Sequence, residues 1–379
     1  MKKICYVVTI SRTIKSFFIP QLKYLAENGY EVTVICSPDD DIKNVLGNDI
    51  NYIPVYIARG VEAKSLLGTI NKLTDIFKTE KFDIVQYSTP NAAFCAAIAA
   101  KRAGIKIRNY HLMGLRYLGM SGAARTVFKL IEKYTCRLST HIECITPSNL
   151  ELALNAGLFP REKAVIVWNG STGGVDMSRF DCSRRSQWRQ EIRNEQNIGE
   201  NEFVFGFVGR ITRDKGINEI LTAFGGLSGR AGLLLVGPDE GVDTLDKELW
   251  ENALADKRIV MHDTVTDIER YYAAMDVLLL PSYREGFGMS IAEAAAVGTP
   301  AIVSDIPGPV DVIDKDKTAF IVKVKDAESL RERMQFFLDD PNRAYEMSED
   351  CVEHIRQKFD GKRLCEKILE RKEQLLSSQ

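Results

Sequence analysis

No run in the 379-residue chain approaches the roughly 20 apolar residues needed to cross a bilayer, so a spanning helix is not expected. The eight cysteines, at 5, 36, 95, 136, 144, 182, 351 and 365, contain no C-x-x-C pair. Several lie in apolar segments, which fits buried, reduced thiols in a cytosolic compartment. Four histidines, at 111, 141, 262 and 354, share no metal-ligand spacing, and that argues against structural zinc. Low-complexity segments and short repeats are also lacking. The opening M-K-K-I-C-Y-V-V-T-I has too short an apolar stretch and no cleavage site, so it reads as a first strand and not a signal peptide.

The chain exceeds one comfortable hydrophobic core, and two domains are expected. Its 45% apolar and 27% charged residues suit a soluble globular protein. The net charge of −2 hides an asymmetry: residues 1–180 carry 23 Lys/Arg against 15 Asp/Glu, the remainder 27 against 37. A basic first half points to an anionic surface or substrate met by that half; uneven but solvated surfaces are the alternative. A nucleic-acid partner is not expected.

Apolar strands alternate with amphipathic helices throughout. In the first half the strands are expected at 4–9, 31–37, 82–87, 106–111, 141–146 and 164–167. Helix patterns at 17–28 and 91–102 stop at Gly29 and Gly104. The second half repeats the scheme at 203–208, 232–236, 258–261, 277–280, 301–303 and 319–322. Near-continuous apolar strands separated by helices imply parallel sheets covered on both faces. The expected fold is therefore α/β, with two tandem doubly wound, Rossmann-like domains facing a cleft. Residues 1–170 with a terminal helix 362–379 would form one domain, 171–200 a polar linker, and 201–361 the other.

The most informative segment is P-S-Y-R-E-G-F-G-M-S-I-A-E at 281–293. It follows an apolar run and opens a small-residue helix, so backbone amides and the helix dipole converge on its glycine turn. Glu285 and Glu293 flank that turn, which suggests a ligand with hydroxyls on both sides of a phosphate. The bland alternative is an ordinary βα turn with solvated glutamates. An earlier strand, Phe203 to Val208, ends in Gly209-Arg210, with Lys215-Gly216 just beyond. Arg through its planar fork and Lys as a point charge can neutralise a diphosphate, although either alone is commonly a surface charge.

These motifs together resemble the donor site of the GT-B, family 4 retaining glycosyltransferases, and the resemblance covers nearly the whole chain. It extends to His111-Leu-Met-Gly, Trp168-Asn-Gly with Gly174-Val-Asp, and Ser304 to Gly308. Within the family the chain looks most like bacterial capsular, exopolysaccharide or O-antigen enzymes that extend a lipid-linked sugar. The resemblance implies a nucleotide-sugar donor, with uridine as the expected base, and a lipid-linked glycan acceptor. It makes His111, Arg210, Lys215 and Glu285 the catalytic set. Gly209, Gly286, Phe287, Gly288, Met289, Ser290 and Glu293 would join Arg210, Lys215 and Glu285 in holding the donor. Arg210 and Lys215 would stabilise the departing diphosphate, Glu285 would accept from sugar hydroxyls, and Glu293 from the ribose pair. His111 would help fix the reacting geometry; a structural histidine is the alternative. No nucleophile for a double displacement is evident, so a same-face substitution is implied.

Glycoside hydrolysis fits less well. Eight helical residues span about 12 Å, whereas hydrolase carboxyls sit roughly 5 Å or under about 10 Å apart. A 2-epimerase or sugar phosphorylase of the same architecture, or a non-catalytic nucleotide-sugar-binding protein, remain alternatives.

The first loop, T-I-S-R-T-I-K-S, lacks the glycines of many family members. Ser11, Arg12, Thr13, Lys15 and Ser16 are the candidate acceptor-diphosphate contacts, against a plain charged loop. Arg125, Lys129, Lys133 and Arg137 recur at i, i+4, with Tyr117, Leu118 and Met120 upstream. Residues 116–137 thus suit an anionic membrane surface, or a solvated face paired partly through Glu132. The expected location is cytoplasmic, peripheral on the inner membrane face. Two D-x-D sequences, at 39–41 and 314–316, are metal–diphosphate candidates, but the basic pair already supplies positive charge. No metal or other cofactor is expected.

Overall fold

The computed structural model of the protein describes residues 1–58, 60 and 63–378. The chain divides into two compact units, Met1–Gly174 with Gly361–Gln379, and Val175–Asp360. In the first, β1 (Lys2–Val7), β2 (Tyr30–Cys36), β3 (Ile50–Pro54), β4 (Ile84–Tyr87), β5 (Ile107–Leu112), β6 (His141–Cys144) and β7 (Ala164–Ile166) form one sheet in the order β3-β2-β1-β4-β5-β6-β7. Every pairing is parallel. Parallel strands are joined by helical crossovers, so both faces are covered. One face packs Val7, Val85 and Leu112 with Phe77; the other packs Ile4, Ile84 and Ile107 with Phe18, Leu22 and Leu375.

The second unit repeats the scheme with β8 (Phe203–Val208), β9 (Ala231–Val236), β10 (Ile259–His262), β11 (Val277–Leu280), β12 (Ala301–Ser304) and β13 (Ala319–Val322), in the order β10-β9-β8-β11-β12-β13. These too are all parallel. Strand order reverses beside β1 in the first sheet and beside β8 in the second. Crossovers then depart to opposite sides, which opens a crevice at the carboxyl ends of β1/β4 and of β8/β11.

Strand β3 is an addition to the expected set. It lies at the sheet edge with Asn51 and Pro54 exposed, so it lacks the apolar run of a buried parallel strand. The helix expected at 17–28 is two helices, Ser11–Phe17 and Ile19–Glu27, broken at Phe18. Pro20 sits in the first turn of the second, where its missing N–H costs nothing.

The expected linker is a correction. Residues from Val175 onward belong to the second unit, and Arg185–Glu195 is a helix with Trp188, Ile192 and Arg193 buried. Its basic residues turn inward. Arg193 donates to Asp276 at 2.8 Å and to the Glu202 and Ala274 carbonyls, and Arg189 donates to Asp276 at 2.6 Å. A charged, polar composition conceals this packing because the cations have buried acceptors. The terminal helix, Gly361–Ser377, packs Leu364, Ile368 and Leu375 against the first unit.

Arg193→Ala leaves Asp276 short of a buried partner, a change that typically costs about 3–5 kcal/mol. Because Arg189 remains, the loss here should lie near the low end of that range. Urea unfolding of the variant checks it; an unchanged midpoint would mean that this helix does not stabilise the unit.

Candidate functional site

The pairing of β8 with β11, Val277 opposite Phe205 and Leu278 opposite Gly206, sets the two sequence motifs side by side. Beyond β8 the chain turns through Gly209 and Arg210 into a short turn of helix, Arg213–Lys215, and the helix Ile217–Gly225. Beyond β11 it runs through 281–288 into the helix Met289–Ala296. Gly216 joins these loops: at φ +78° it lies so close to the Pro281 carbonyl that any Cβ would clash with it. Gly308 (φ +99°) does the same for the third loop, since a Cβ there would stand 2.8 Å from the Gly286 carbonyl oxygen.

Lys215 Nζ contacts Glu285 Oε1 at 2.5 Å, with the two side chains only 17% and 14% exposed. Ser282 Oγ donates to the same carboxylate oxygen at 2.9 Å. Beside them the Asp214 carbonyl accepts from the Tyr283 amide, and the Asp214 carboxylate accepts from Arg284 at 2.9 Å. Burial pushes the Asp214 carboxyl up, but the Thr212 hydroxyl and the cations Arg284, Arg210 and Lys215 hold it below the usual range. Arg210 is exposed and reaches Glu240 only at 4.0 Å. Lys215 and Glu285 are thus a mutually satisfied pair, a coupling that separate assignments to phosphate and sugar do not contain.

Gly288, at φ +101°, caps the helix Met289–Ala296, and Phe287 anchors the loop by an edge contact with Phe359. The helix start aims backbone amides and the positive dipole end at the loop mouth. Ser290 lies in its first turn. Glu293, in its second, accepts from Tyr272 OH at 2.9 Å. Burial pushes this carboxyl up to about 7 and the tyrosine hydroxyl works against the shift; the residue as a whole is only half-buried. Near neutral pH it is therefore both acid and carboxylate, able to donate as well as accept. Tyr272 and Ser282 carry no sequence signal of their own, since each reads as core or turn.

In the first unit His111 is buried at the carboxyl end of β5, its Nδ1 3.4 Å from Ser88 Oγ and its ring edge-on to Phe18. Burial pushes the imidazole down to about 4, so it is uncharged at neutral pH. The candidate acceptor residues form a helix where a loop was expected. Ser11 and Lys15 are taken up internally: the Ser11 hydroxyl donates to Asp39, and Lys15 reaches Asp39 at 3.1 Å and Asp41 at 3.2 Å. Thr13 is half-buried, whereas Arg12 and Ser16 are exposed. The first D-x-D sequence thus holds a lysine, and in the second Asp314 pairs with Lys317 at 3.0 Å. Among the described residues no group of three or more His, Cys, Asp or Glu side chains is arranged to hold a metal ion.

The basic residues lie on the helix Gly122–Leu138. Among the described residues Arg125, Lys129, Lys133 and Arg137 have no ion-pair partner. Tyr117 is buried, and Leu118 and Met120 are half-buried, contrary to the expected exposed apolar neighbours. Exposed apolar groups instead lie on the helix itself, at Val127, Leu130 and Tyr134. Glu132 offsets none of the cations. It is buried and accepts from Tyr110 OH at 2.7 Å. No helix is long and apolar enough to cross a membrane among the described residues.

Family comparisons bear on both units. The family model described as "Glycosyl transferase 4-like" matches residues 3–146, and that described as "Glycosyl transferases group 1" matches residues 189–358. The chain is 26% identical to the capsular polysaccharide biosynthesis glycosyltransferase CapM of Staphylococcus aureus, over 97% of this chain and 96% of that one. It is 22% identical to the UDP-Gal:alpha-D-GlcNAc-diphosphoundecaprenol alpha-1,3-galactosyltransferase of Escherichia coli, over 92% and 90%. Among solved structures, the sucrose-phosphate synthase of Thermosynechococcus elongatus matches with TM-score 0.81 at 18% identity, over 100% of both chains. Anabaena HepE in complex with UDP and glucose matches with TM-score 0.80 at 19% identity, again over 100% of both. The architecture is GT-B.

Burial pushes the Glu132 carboxyl up to about 7, against the opposing Tyr110 hydrogen bond. A carboxyl raised on folding adds stability below its unfolded value, near 4.5, and loses it as pH climbs through 7. The first unit should therefore weaken between about pH 5 and 8, and Glu132→Gln should flatten that slope. Thermal unfolding across this range is the measurement; an equal slope in the variant would contradict the assignment.

Proposed function

Because the chain belongs to the family 4-like glycosyltransferases, we propose that it moves a hexosyl group from a UDP-sugar to a lipid-linked acceptor in the synthesis of a surface polysaccharide. The carrying observation is the second-unit crevice, where Lys215, Glu285 and the start of the helix Met289–Ala296 meet at the carboxyl ends of β8 and β11. A diphosphate needs cations and amides at such a place, and a sugar needs acceptors. The uridine and lipid-diphosphate parts of the reading are supported by the UDP-Gal and diphosphoundecaprenol in the name of the Escherichia coli relative, and by UDP in the Anabaena complex.

In the proposed reaction the bond from the sugar carbon to the diphosphate oxygen breaks, and negative charge develops on that oxygen. Arg210 and Lys215 offset it, with the amides of Phe287, Gly288 and Met289 assisting; this is the step that most needs electrostatic stabilisation. The acceptor hydroxyl attacks from the face the diphosphate leaves, its proton passes to the departing phosphate oxygen, and configuration is retained. Gly209 and Gly286 let the backbone come close. Glu285 holds sugar hydroxyls, while Glu293 and Ser290 hold the nucleoside end. His111, uncharged at neutral pH, helps fix the reacting geometry, and Arg12 and Ser16 contact the acceptor. No metal is required.

The reading includes contact with an anionic membrane face. A stripe of four unpaired cations beside Val127, Leu130 and Tyr134 supports it, because each exposed Lys or Arg near such a surface contributes about 1 kcal/mol. Residence on the cytoplasmic face of a membrane would follow.

Incubation with single UDP-sugars, without acceptor and with chelator present, should release UDP and free sugar slowly for one donor. Lys215→Ala should cut that rate on the order of 100-fold, the usual effect of losing one such stabilising group. Epimerised donor without UDP release, or sugar phosphate formed only with inorganic phosphate, would replace the transferase reading with an epimerase or a phosphorylase.

Phosphatidylglycerol vesicles at low salt should sediment the protein, and neutral vesicles should not. Lys129→Ala with Lys133→Ala should weaken partitioning about 30-fold, from about 1 kcal/mol per cation. Equal partitioning of the double variant would remove the membrane contact.

A further inference from the structure

The first unit contains a buried charged cluster that the chemistry above leaves unused. One face of its sheet is apolar at Ile4, Ile84 and Ile107, yet the positions that follow on that face are Gln86, Asn109, His111 and Glu143. Register pairing sets Gln86 beside Asn109 and His111 beside Glu143, and register partners in a parallel sheet project from the same face. Into this row the terminal helix inserts Lys372, which is 0% exposed and falls in the stripe of Leu364, Ile368 and Leu375 where an apolar residue is expected.

The Lys372 ammonium spends its three donors there. It reaches Gln86 Oε1 at 2.7 Å and the two Glu143 oxygens at 2.9 and 2.8 Å. Asn109 Nδ2 also donates to Gln86 Oε1, at 2.9 Å. His111, Glu143, Gln86 and Gln21 line one small cavity of about 20 Å³ with Ile368 of the same helix. A buried ion pair adds little net stability, because desolvation of both charges offsets their attraction. Apolar side chains would dock this helix as well, so the cluster calls for another role.

Three groups can serve Glu143 as counter-cation: Lys372, which reaches both its oxygens, Arg371 at 3.6 Å, and His111, its register partner and neighbour in the cavity lining. We propose that Lys372 is a positioning residue for His111: by claiming Glu143 and Gln86, it keeps the Glu143 carboxylate from recruiting the imidazole, which then stays uncharged with Nδ1 toward Ser88. The proposal rests on the reading that His111 contributes to the reaction. The groups around the ring are Glu143 from β6, Lys372 from the terminal helix, Ser88 beyond β4, and the Phe18 ring; Arg371 lies 3.6 Å from Glu143, and His141 shares its strand. Burial is the main cause of the low imidazole value, with Glu143 pulling it up and Lys372 pulling it down. For Glu143, burial works against the charge and Lys372 holds the carboxyl below its usual range.

The test uses the full chain with Lys372→Met. The His111 ring, followed by NMR, should titrate nearer neutrality, and the acid limb of kcat should rise with it. If the midpoint reaches about 7, kcat at pH 6 falls about tenfold while the donor KM is unchanged. Adding Glu143→Gln to Lys372→Met should return both the midpoint and kcat at pH 6 toward wild type. A folded Lys372→Met chain whose His111 midpoint stays put would overturn the proposal, since a purely structural lysine predicts that result. Should the single variant not fold, Glu143→Gln is compared with the double variant. With no carboxylate left to recruit the ring, losing Lys372 should change kcat at pH 6 by less than twofold, and a larger fall would overturn the proposal. If instead His111→Ala retains full kcat while Lys372→Met still shifts the titration, the catalytic reading of His111 fails and the positioning contact stands.

Discussion

Parallel pairing of β8 with β11 is the constraint on which the candidate donor site depends. Those strands lie about 70 residues apart in the chain, and each ends in a loop that by itself is an unremarkable βα turn. Adjacency in the sheet brings Lys215 within hydrogen-bond reach of Glu285 and sets a helix start beside both. It also explains the small residues at the contact, since Gly216 abuts Pro281 and Gly308 abuts Gly286. A β-branched or bulky residue at either place would push the loops apart before it disturbed the sheet.

The two units use charge in opposite ways. In the second, a half-buried cation and carboxylate neutralise each other at the carboxyl ends of β8 and β11, so both groups are already oriented by their pairing. In the first, Lys372 and Glu143 do the same under a sheet face, where both are buried. Lys15 with Asp39 is a third instance, at the end of β1. Pairing of this kind keeps partly buried charges from paying the full desolvation cost. It also means that a cation read from sequence as a ligand contact can already have a partner.

Most of the strands were legible because parallel sheets demand buried apolar runs, and glycines marked two helix ends. Strand β3 was hidden by its half-exposed edge position, and the helix Arg185–Glu195 by inward-facing arginines in a charged stretch. Among the candidate site residues, Arg210, Lys215, Glu285 and Glu293 stand out from motif and spacing. Tyr272, Ser282 and Asp214 were not, because an aromatic, a serine or an aspartate near a turn carries no chemistry until its neighbours are known. The basic helix was half legible: its four cations follow a helical repeat, whereas the exposure of Leu130 and the burial of Glu132 depend on which side of that helix packs against the helix Pro90–Arg102 and the turn Arg116–Gly119.

Local composition determined the α/β class, the run of strands and the residue types gathered at their carboxyl ends, since these follow from periodicity and turn chemistry within short windows. Strand order, by contrast, is a long-range choice. Only the folded chain decided that Glu285 stands against Lys215, that Asp39 occupies Lys15, and that a lysine near the C-terminus closes a charge pair beside His111. Such contacts join segments separated by tens to hundreds of residues, and no local rule of spacing reaches that far.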